Sequence, residues 1–293
     1  MQTHYQKAVS RILPQTLYVV ATPIGNLSDI TLHALAVLGR ADLICAEDTR
    51  VTQQLLRAFG INTRLLSVRE QNEQSMADKV IEALSAGLVV AQVSDAGTPA
   101  VCDPGARLVT RVREAGFRVV PTAGISAVMA TLSVAGVVQS DFYFAGFLPP
   151  KSQERQRWFA RWQEADYAVV MFETPHRIER TLSEMAHCFP NRRLVFAREL
   201  TKSHETILCG TVSDIQAAVS SDSQQKKGEM VLVLHPCETV KNQELSASAC
   251  QTLILLSQEL PLKRAAALTA EIYNTNKKAL YDWAIQQKLR TQE

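Results

Sequence analysis

The sequence has no Cys-x-x-Cys pair, no strong charge of either sign and no basic, apolar, small-residue leader pattern at its start. Its six cysteines, Cys45, Cys102, Cys188, Cys209, Cys237 and Cys250, are scattered, several of them in apolar runs, which excludes a disulfide framework or zinc site. They read as reduced thiols of a cytoplasmic protein, with no metal centre and no secretory signal expected. A net charge of +2 excludes the uniformly basic surface of a nucleic-acid-binding domain, so any RNA contact must come from local patches. One uncharged stretch, Val119 to Ser140, is long enough to cross a bilayer. Pro121, Thr122, Gly124 and Gly136 divide it into strand, loop and short helix, so it reads as buried core and no membrane association is expected. Internal repeats and low-complexity segments are absent.

What is present is the composition of a folded protein: 46% hydrophobic and 20% charged over 293 residues, enough for about two domains. From Leu17 to Gly124, apolar runs at Leu17 to Ala21, Leu43 to Ala46, Arg64 to Val68, Leu88 to Val93 and Arg118 to Pro121 alternate with helical patterns. Those helical patterns lie at Thr31 to Leu38, Gln53 to Phe59, Met76 to Leu84 and Ala106 to Ala115. This alternation predicts an α/β fold with a parallel sheet covered by helices. Gly60, Gly87 and Gly116 stand where C-terminal caps belong. A second set of strands, Phe142 to Phe147, Ala168 to Phe172, Leu194 to Ala197, Thr206 to Cys209 and Met230 to Leu234, is separated by only two long helical patterns. These are Glu154 to Glu164 and Arg177 to Cys188, so a mixed sheet is expected. The division predicted is an N-terminal tail (1–16), a first α/β domain (17–124), a second (125–237), a linker (238–244) and a helical tail (245–293).

Three loops leave strand ends on one edge of the first sheet. Ala21-Thr-Pro-Ile-Gly-Asn-Leu-Ser-Asp29 has a single glycine and is no dinucleotide fingerprint; its Asp29 also reads as a helix cap. Ser94-Asp-Ala-Gly-Thr-Pro99, followed by Asp103-Pro-Gly105, offers small residues for close approach and Asp95 and Thr98 for hydrogen bonding. Pro121-Thr-Ala-Gly-Ile-Ser126 is the third. Three glycine-bearing loops at one sheet edge imply a ligand cleft. Without a Gly-x-x-x-x-Gly-Lys-Ser/Thr pattern, a nucleoside triphosphate is a poor candidate for the ligand. S-adenosylmethionine, which has no phosphate, suits such loops.

Six stretches together carry a resemblance: Thr22-Pro-Ile-Gly-Asn-Leu-x-Asp29, Ala46-Glu-Asp-Thr-Arg50, Val93-Ser-Asp-Ala-Gly-Thr-Pro99, Phe172-Glu-Thr-Pro-His-Arg177, Ala197-Arg-Glu-Leu-Thr-Lys202 and Lys227-Gly-Glu-Met230. In this order they resemble the class III, tetrapyrrole-methylase-type methyltransferases, and within them the 16S rRNA (cytidine(1402)-2'-O)-methyltransferases. The resemblance runs from Leu17 through the helical tail. It implies two α/β domains with S-adenosyl-L-methionine in the cleft between them, a homodimer, and 16S rRNA in the small ribosomal subunit as substrate. Carried over by position, cofactor contacts come from Pro23, Gly25, Asn26, Asp95, Gly97, Thr98, Gly124 and Ser126, with Phe147 and Met230 closing the cleft. The third loop departs from the family, because Ala123 and Ile125 stand where prolines are usual and leave that loop less fixed in φ.

Methyl transfer to a ribose hydroxyl needs in-line alignment and a proton acceptor. Acid–base candidates in the motifs are Glu47, Asp48, Glu173, His176, Glu199, Lys202 and Glu229. Glu173, Arg198, Glu199 and Lys202, at strand ends of the second domain, are the expected catalytic neighbourhood, with Arg198 or Lys202 as a cation for developing alkoxide or phosphate. A structural Arg198–Glu199 ion pair is the alternative. Basic clusters for RNA are Arg155, Arg157 and Arg161, Arg192 and Arg193, Lys226 and Lys227, and Lys277 and Lys278. In the tail, Leu262-Lys-Arg-Ala-Ala-Ala-Leu268 and Lys277-Lys-Ala-Leu-Tyr281 resemble the family's helix-turn-helix-like module. Two other readings stand beside this one: a small-molecule methylase of the same fold, such as a tetrapyrrole-precursor methylase, and a non-catalytic RNA-binding assembly factor.

Overall fold

The computed structural model describes residues 2–237, 245–273 and 275–287, which fall into two compact units, Met1–Cys237 and Glu238–Glu293. The linker expected at 238–244 lies outside the described residues. The segment expected as a tail instead begins with a helix, α1 (Gln2–Val9). It packs on α2 (Leu32–Arg40), where the Tyr5 hydroxyl lies against Gly39.

Strands β1 (Thr16–Val20), β2 (Leu43–Ala46), β3 (Arg64–Ser67), β4 (Val89–Val93) and β5 (Arg118–Thr122) form a wholly parallel sheet in the order β3-β2-β4-β1-β5. Alternate side chains of each strand go to opposite faces, and both faces are covered. On one face Tyr18, Val20, Ile44, Ala91 and Val93 pack under α2 and α3 (Thr49–Ala58). On the other, Leu17, Leu43, Cys45 and Val90 meet Ala77, Val80 and Leu84 of α4 (Glu73–Ser85) and Leu108 and Val112 of α5 (Ala106–Glu114). Gly60, Gly87 and Gly116 take positive φ just past α3, α4 and α5, as the cap pattern predicts. The chain leaves β1 toward β2 on one side and leaves β4 toward β5 on the other. Strand order therefore reverses at the adjacent β1 and β4, the place where open α/β sheets bind ligands.

The second sheet runs β6 (Phe142–Phe147), β7 (Ala168–Glu173), β10 (Met230–Leu234), β8 (Arg193–Arg198), β9 (Thr206–Thr211); only β6 and β7 are parallel. One face is covered by α7 (Ser152–Trp162), α8 (Ile178–Cys188) and α9 (Val212–Ser221), through Phe159, Trp162, Leu182, Met185, Ile215 and Val219. Helix α9 is a third helix where two were expected. Val212, Ile215 and Val219 give it a buried stripe and a Thr211/Asp214 capping box starts it. Helix α6 (Ala127–Ala135) lies on the opposite face, with Val128 and Ala135 against Val170, Val195 and Val233. The stretch Val119 to Ser140 is thus strand, loop and helix, and among the described residues no helix is long and apolar enough to cross a membrane.

The two sheets belong to one compact unit, so the boundary expected at 124/125 separates sheets and not units. The second unit has its own core: Ala249 and Leu253 of α10 (Ala247–Glu259), Leu262, Ala265 and Ala266 of α11 (Leu262–Ile272), and Leu280 and Ala284 of α12 (Lys277–Gln286).

Candidate active site: a cleft at the strand ends

At the carboxyl ends of β1, β2 and β4 a cleft of about 450 Å³ opens, within the size range of small-ligand sites. Its walls come from both sheets. Ile24, Glu47, Asp95, Gly97, Thr98 and Asp103 line it from the first, Ser126 and Val128 from the start of α6, and Phe147, Phe172, Leu200, Glu229 and Met230 from the second. A two-way bridge joins the ends of β1 and β4: Thr22 N–H donates to Gly97 O (2.8 Å) and Gly97 N–H to Thr22 O (3.0 Å). Gly97 does this at φ +74°, open to glycine without strain.

Several residues that are not glycine also take positive φ beside the cleft: Ala100 and Cys102 in the loop after β4, Glu199 and Thr201 after β8. Each such conformation costs about 1–3 kcal/mol and persists only where surroundings impose it, a pattern common at functional sites.

Three carboxylates face the cleft from the first sheet. Asp95 is held by Asp48 N–H, which donates to its Oδ1 at 3.0 Å. Burial pushes the Glu47 carboxyl above its ordinary value, and the charges of Asp95 and Asp103 add to this against the pull of Arg69. Burial likewise raises Asp103, with Asp95 adding to it. Opposite them, Phe147 and Phe172 meet edge to face at 5.5 Å between ring centres. No side chain caps the first turn of α6. Its N-terminal N–H groups therefore sit at the cleft wall, where they suit a carboxylate.

The residues singled out from the sequence separate into two groups. Asp95, Gly97, Thr98, Ser126, Phe147, Met230 and Glu173 line the cleft, whereas Pro23, Gly25, Asn26, Gly124, Arg198, Glu199 and Lys202 do not. The second group shapes it from behind. An ideal Cβ on Gly25 would lie 2.4 Å from Lys202 Cγ, and Asn26 N–H donates to Thr201 Oγ1 (3.1 Å). The first loop is therefore clasped by the segment after β8. Lys202 Nζ in turn bridges Glu199 Oε1 (2.8 Å) and Glu229 Oε2 (2.6 Å). Burial opposes both charges in this pair. The carboxylates nevertheless hold Lys202 above its ordinary value, and the lysine holds Glu199 below its own. Gly124 packs against Ala21, where a Cβ would approach Ala21 Cβ to 2.8 Å.

Glu173 is buried, with its carboxylate accepting from Thr174 N–H (2.8 Å), Arg177 (2.6 Å) and Thr181 Oγ1 (2.7 Å). It fixes the turn after β7. Arg198 donates to His204 O (3.0 Å), Lys227 O (3.3 Å) and Gln225 Oε1 (3.3 Å), joining two loops instead of pairing with Glu199. Of the basic clusters, Arg155 is buried on Glu184 (2.8 Å), and Arg192 caps the end of α7 by donating to Trp162 O and Ala165 O. Asp103, Ile24, Phe172 and Leu200 were not picked out from sequence. Ile24, Phe172 and Leu200 stand inside the quoted motifs, and Asp103 stands in an Asp-Pro-Gly turn.

Comparison with known proteins gives this cleft a family. The profile of the Tetrapyrrole (Corrin/Porphyrin) Methylases matches residues 16–216, and that of the RsmI C-terminal HTH domain matches residues 243–288. The chain is 63% identical over 287 residues to the Ribosomal RNA small subunit methyltransferase I of Neisseria meningitidis serogroup B, covering 98% of this chain and 99% of that one. It belongs to this methyltransferase family. The Vibrio cholerae member is 44% identical over 92% of this chain and 94% of its own. The tetrapyrrole-methylase fold is shared with the X-ray structure of a cobalamin biosynthetic enzyme, cobalt precorrin-4 methyltransferase, at TM-score 0.57 and 18% identity over 75% of this chain and 94% of that one. The RsmI-type helical module lies outside the methylase match.

Proposed function

We propose that this protein transfers a methyl group from S-adenosyl-L-methionine to the ribose 2'-hydroxyl of cytidine(1402) in 16S rRNA. The observation that carries the reading is identity over almost the whole chain, helical module included, to ribosomal RNA small subunit methyltransferases. The cleft has the donors and acceptors this cofactor needs. The uncapped start of α6 at Ser126 suits its carboxylate, Asp95 and Asp103 its positive charge, and Phe147, Phe172 and Met230 its adenine. When bound, the cofactor supplies an electrophilic methyl on a cationic sulfur. Thr98 and the Gly97 backbone orient it from the loop after β4.

The proton acceptor in this reading is Glu47, which faces the cleft and is made more basic by its surroundings. Lys202, kept protonated by two carboxylates, serves as a fixed cation that holds the cleft wall in place, and Glu199, Arg198 and Glu173 position that wall through their hydrogen bonds. A homodimer fits the exposed apolar side chains of Met129, Val134 and Val138 on and after α6 and of Phe142 and Tyr143 on the edge strand β6.

The test is methyl transfer from labelled cofactor to undermethylated small ribosomal subunits and, separately, to naked 16S rRNA, with the product mapped to nucleotide and atom. A 2'-O-methylcytidine at that position is expected. Cofactor binding without transfer to either RNA would overturn the reading and point to a small-molecule methylase.

A further inference from the structure

We infer that the helical unit holds an RNA-backbone docking surface, formed where the first turns of α11 and α12 meet. Lys263, Asn276, Lys277, Lys278 and Tyr281 line one shallow groove of about 570 Å³ there. The three lysines are exposed, and among the described residues none of them forms a salt bridge. They are also dispensable for packing, because the core of this unit is made by Ala265, Ala266, Leu280 and Ala284 on other faces of the same helices.

Their position opposes stability. Helix N-termini carry positive partial charge and favour acidic side chains by about 0.3–1 kcal/mol each. Neither α11 nor α12 has an acidic residue in its first turn; Lys263, Arg264, Lys277 and Lys278 stand there instead, and Glu271 stands near the other end of α11. A placement that folding disfavours concentrates positive potential at one spot, and an anion relieves it. Tyr281, one turn beyond Lys277, packs against the core and keeps its ring at the groove. A fixed aromatic face beside cations suits a nucleotide strand, whose bases stack while its phosphates pair. The contact is with the chain of phosphates and carries no base specificity.

This inference rests on the RNA-substrate reading. The test uses the full-length protein and naked 16S rRNA, with affinity measured across a salt series for the wild type, for Lys263→Gln/Lys277→Gln/Lys278→Gln, and for the corresponding Lys→Arg triple variant. Each lost phosphate contact lowers the slope of log K against log salt by about 0.7–0.9, so a slope shallower by about 2 is expected for the Gln variant. The Arg variant is expected to keep the wild-type slope, and cofactor affinity and kcat at saturating RNA to stay unchanged in both. A wild-type slope in a Gln variant that still methylates RNA would sink the docking surface and leave the enzymatic reading standing. Equal loss in the Gln and Arg variants, without a salt effect, would identify a face for protein contact and overturn it too. A wild type that methylates no RNA would instead bring down the reading beneath it.

Discussion

At Glu47 the chain keeps a carboxylate where burial and the neighbouring acids Asp95, Asp103 and Asp48 oppose its ionisation. Its folded-state pKa lies above the ordinary value of 4.5, so the folded protein binds the proton more tightly than the unfolded chain does. Stability from this group is therefore greatest at low pH and is lost as pH rises through the raised pKa. Glu47→Gln is expected to raise the melting temperature at pH 7, with the gain vanishing below about pH 4, in thermal scans across pH. The same variant is expected to lose about 10²–10⁴ in methyl-transfer rate, the usual contribution of a general base. A stabilised variant with full activity would remove Glu47 from the chemistry. Gly25 gives a second test at this scale. A methyl group there meets Lys202, so Gly25→Ala should cost about 1–3 kcal/mol in urea unfolding. In a Lys202→Ala background much of that cost should disappear; simple additivity in the double-mutant cycle would show that the two residues do not press on each other.

Among the elements, α9 shows how a short helix is specified. Its capping box is reciprocal: Asp214 N–H donates to Thr211 Oγ1 (3.1 Å) and Thr211 N–H donates to Asp214 Oδ2 (3.1 Å). The helix packs on α8 and closes the apolar face of the second sheet with Val212, Ile215 and Val219. Thr211→Ala is expected to lower unfolding free energy by about 0.5–2 kcal/mol, read from denaturant midpoints at constant m-value. The loops beside the cleft follow a different rule. They hold Ala100, Cys102, Glu199 and Thr201 in left-handed conformations that local preference disfavours, and packing around them keeps the cleft wall in one shape.

For the whole molecule, some of the apolar side chains left in solvent lie on and just after α6 and on β6, the edge strand of the second sheet. Met129 and Val134 on α6, Val138 after it, and Phe142 and Tyr143 on β6 are each 40% exposed or more, and Val138 reaches 94%. A face of this kind, on an edge strand with unpaired backbone groups, favours association with a second copy. Light scattering coupled to size exclusion is expected to give the mass of a dimer for the wild type. The variant Val138→Asp/Tyr143→Asp is expected to shift toward the monomer while keeping its circular dichroism spectrum. A wild-type monomer across micromolar concentrations would reject the assembly.

The sequence by itself determined the architecture and the sheet edge at which the candidate cleft opens. Runs such as Leu43 to Ala46 and Met230 to Leu234 are apolar on both faces, which only a covered strand satisfies, and the glycines and prolines between elements mark the loops at one sheet edge. Even the missed α9 had its Thr211-x-x-Asp214 signature and its spacing of Val212, Ile215 and Val219, hidden only because it follows a strand without an intervening turn. Which loop residues face the cleft was decided by tertiary structure alone. Gly25, Lys202 and Glu199 share motifs with lining residues such as Ile24 and Leu200, yet a clasp between segments distant in sequence turns them to its back. The physical reason is that a motif fixes local backbone shape, while the direction a side chain takes into a cleft depends on what packs behind it. The basicity of Glu47 has the same origin, since it comes from burial and from carboxylates on other loops that only the fold brings near.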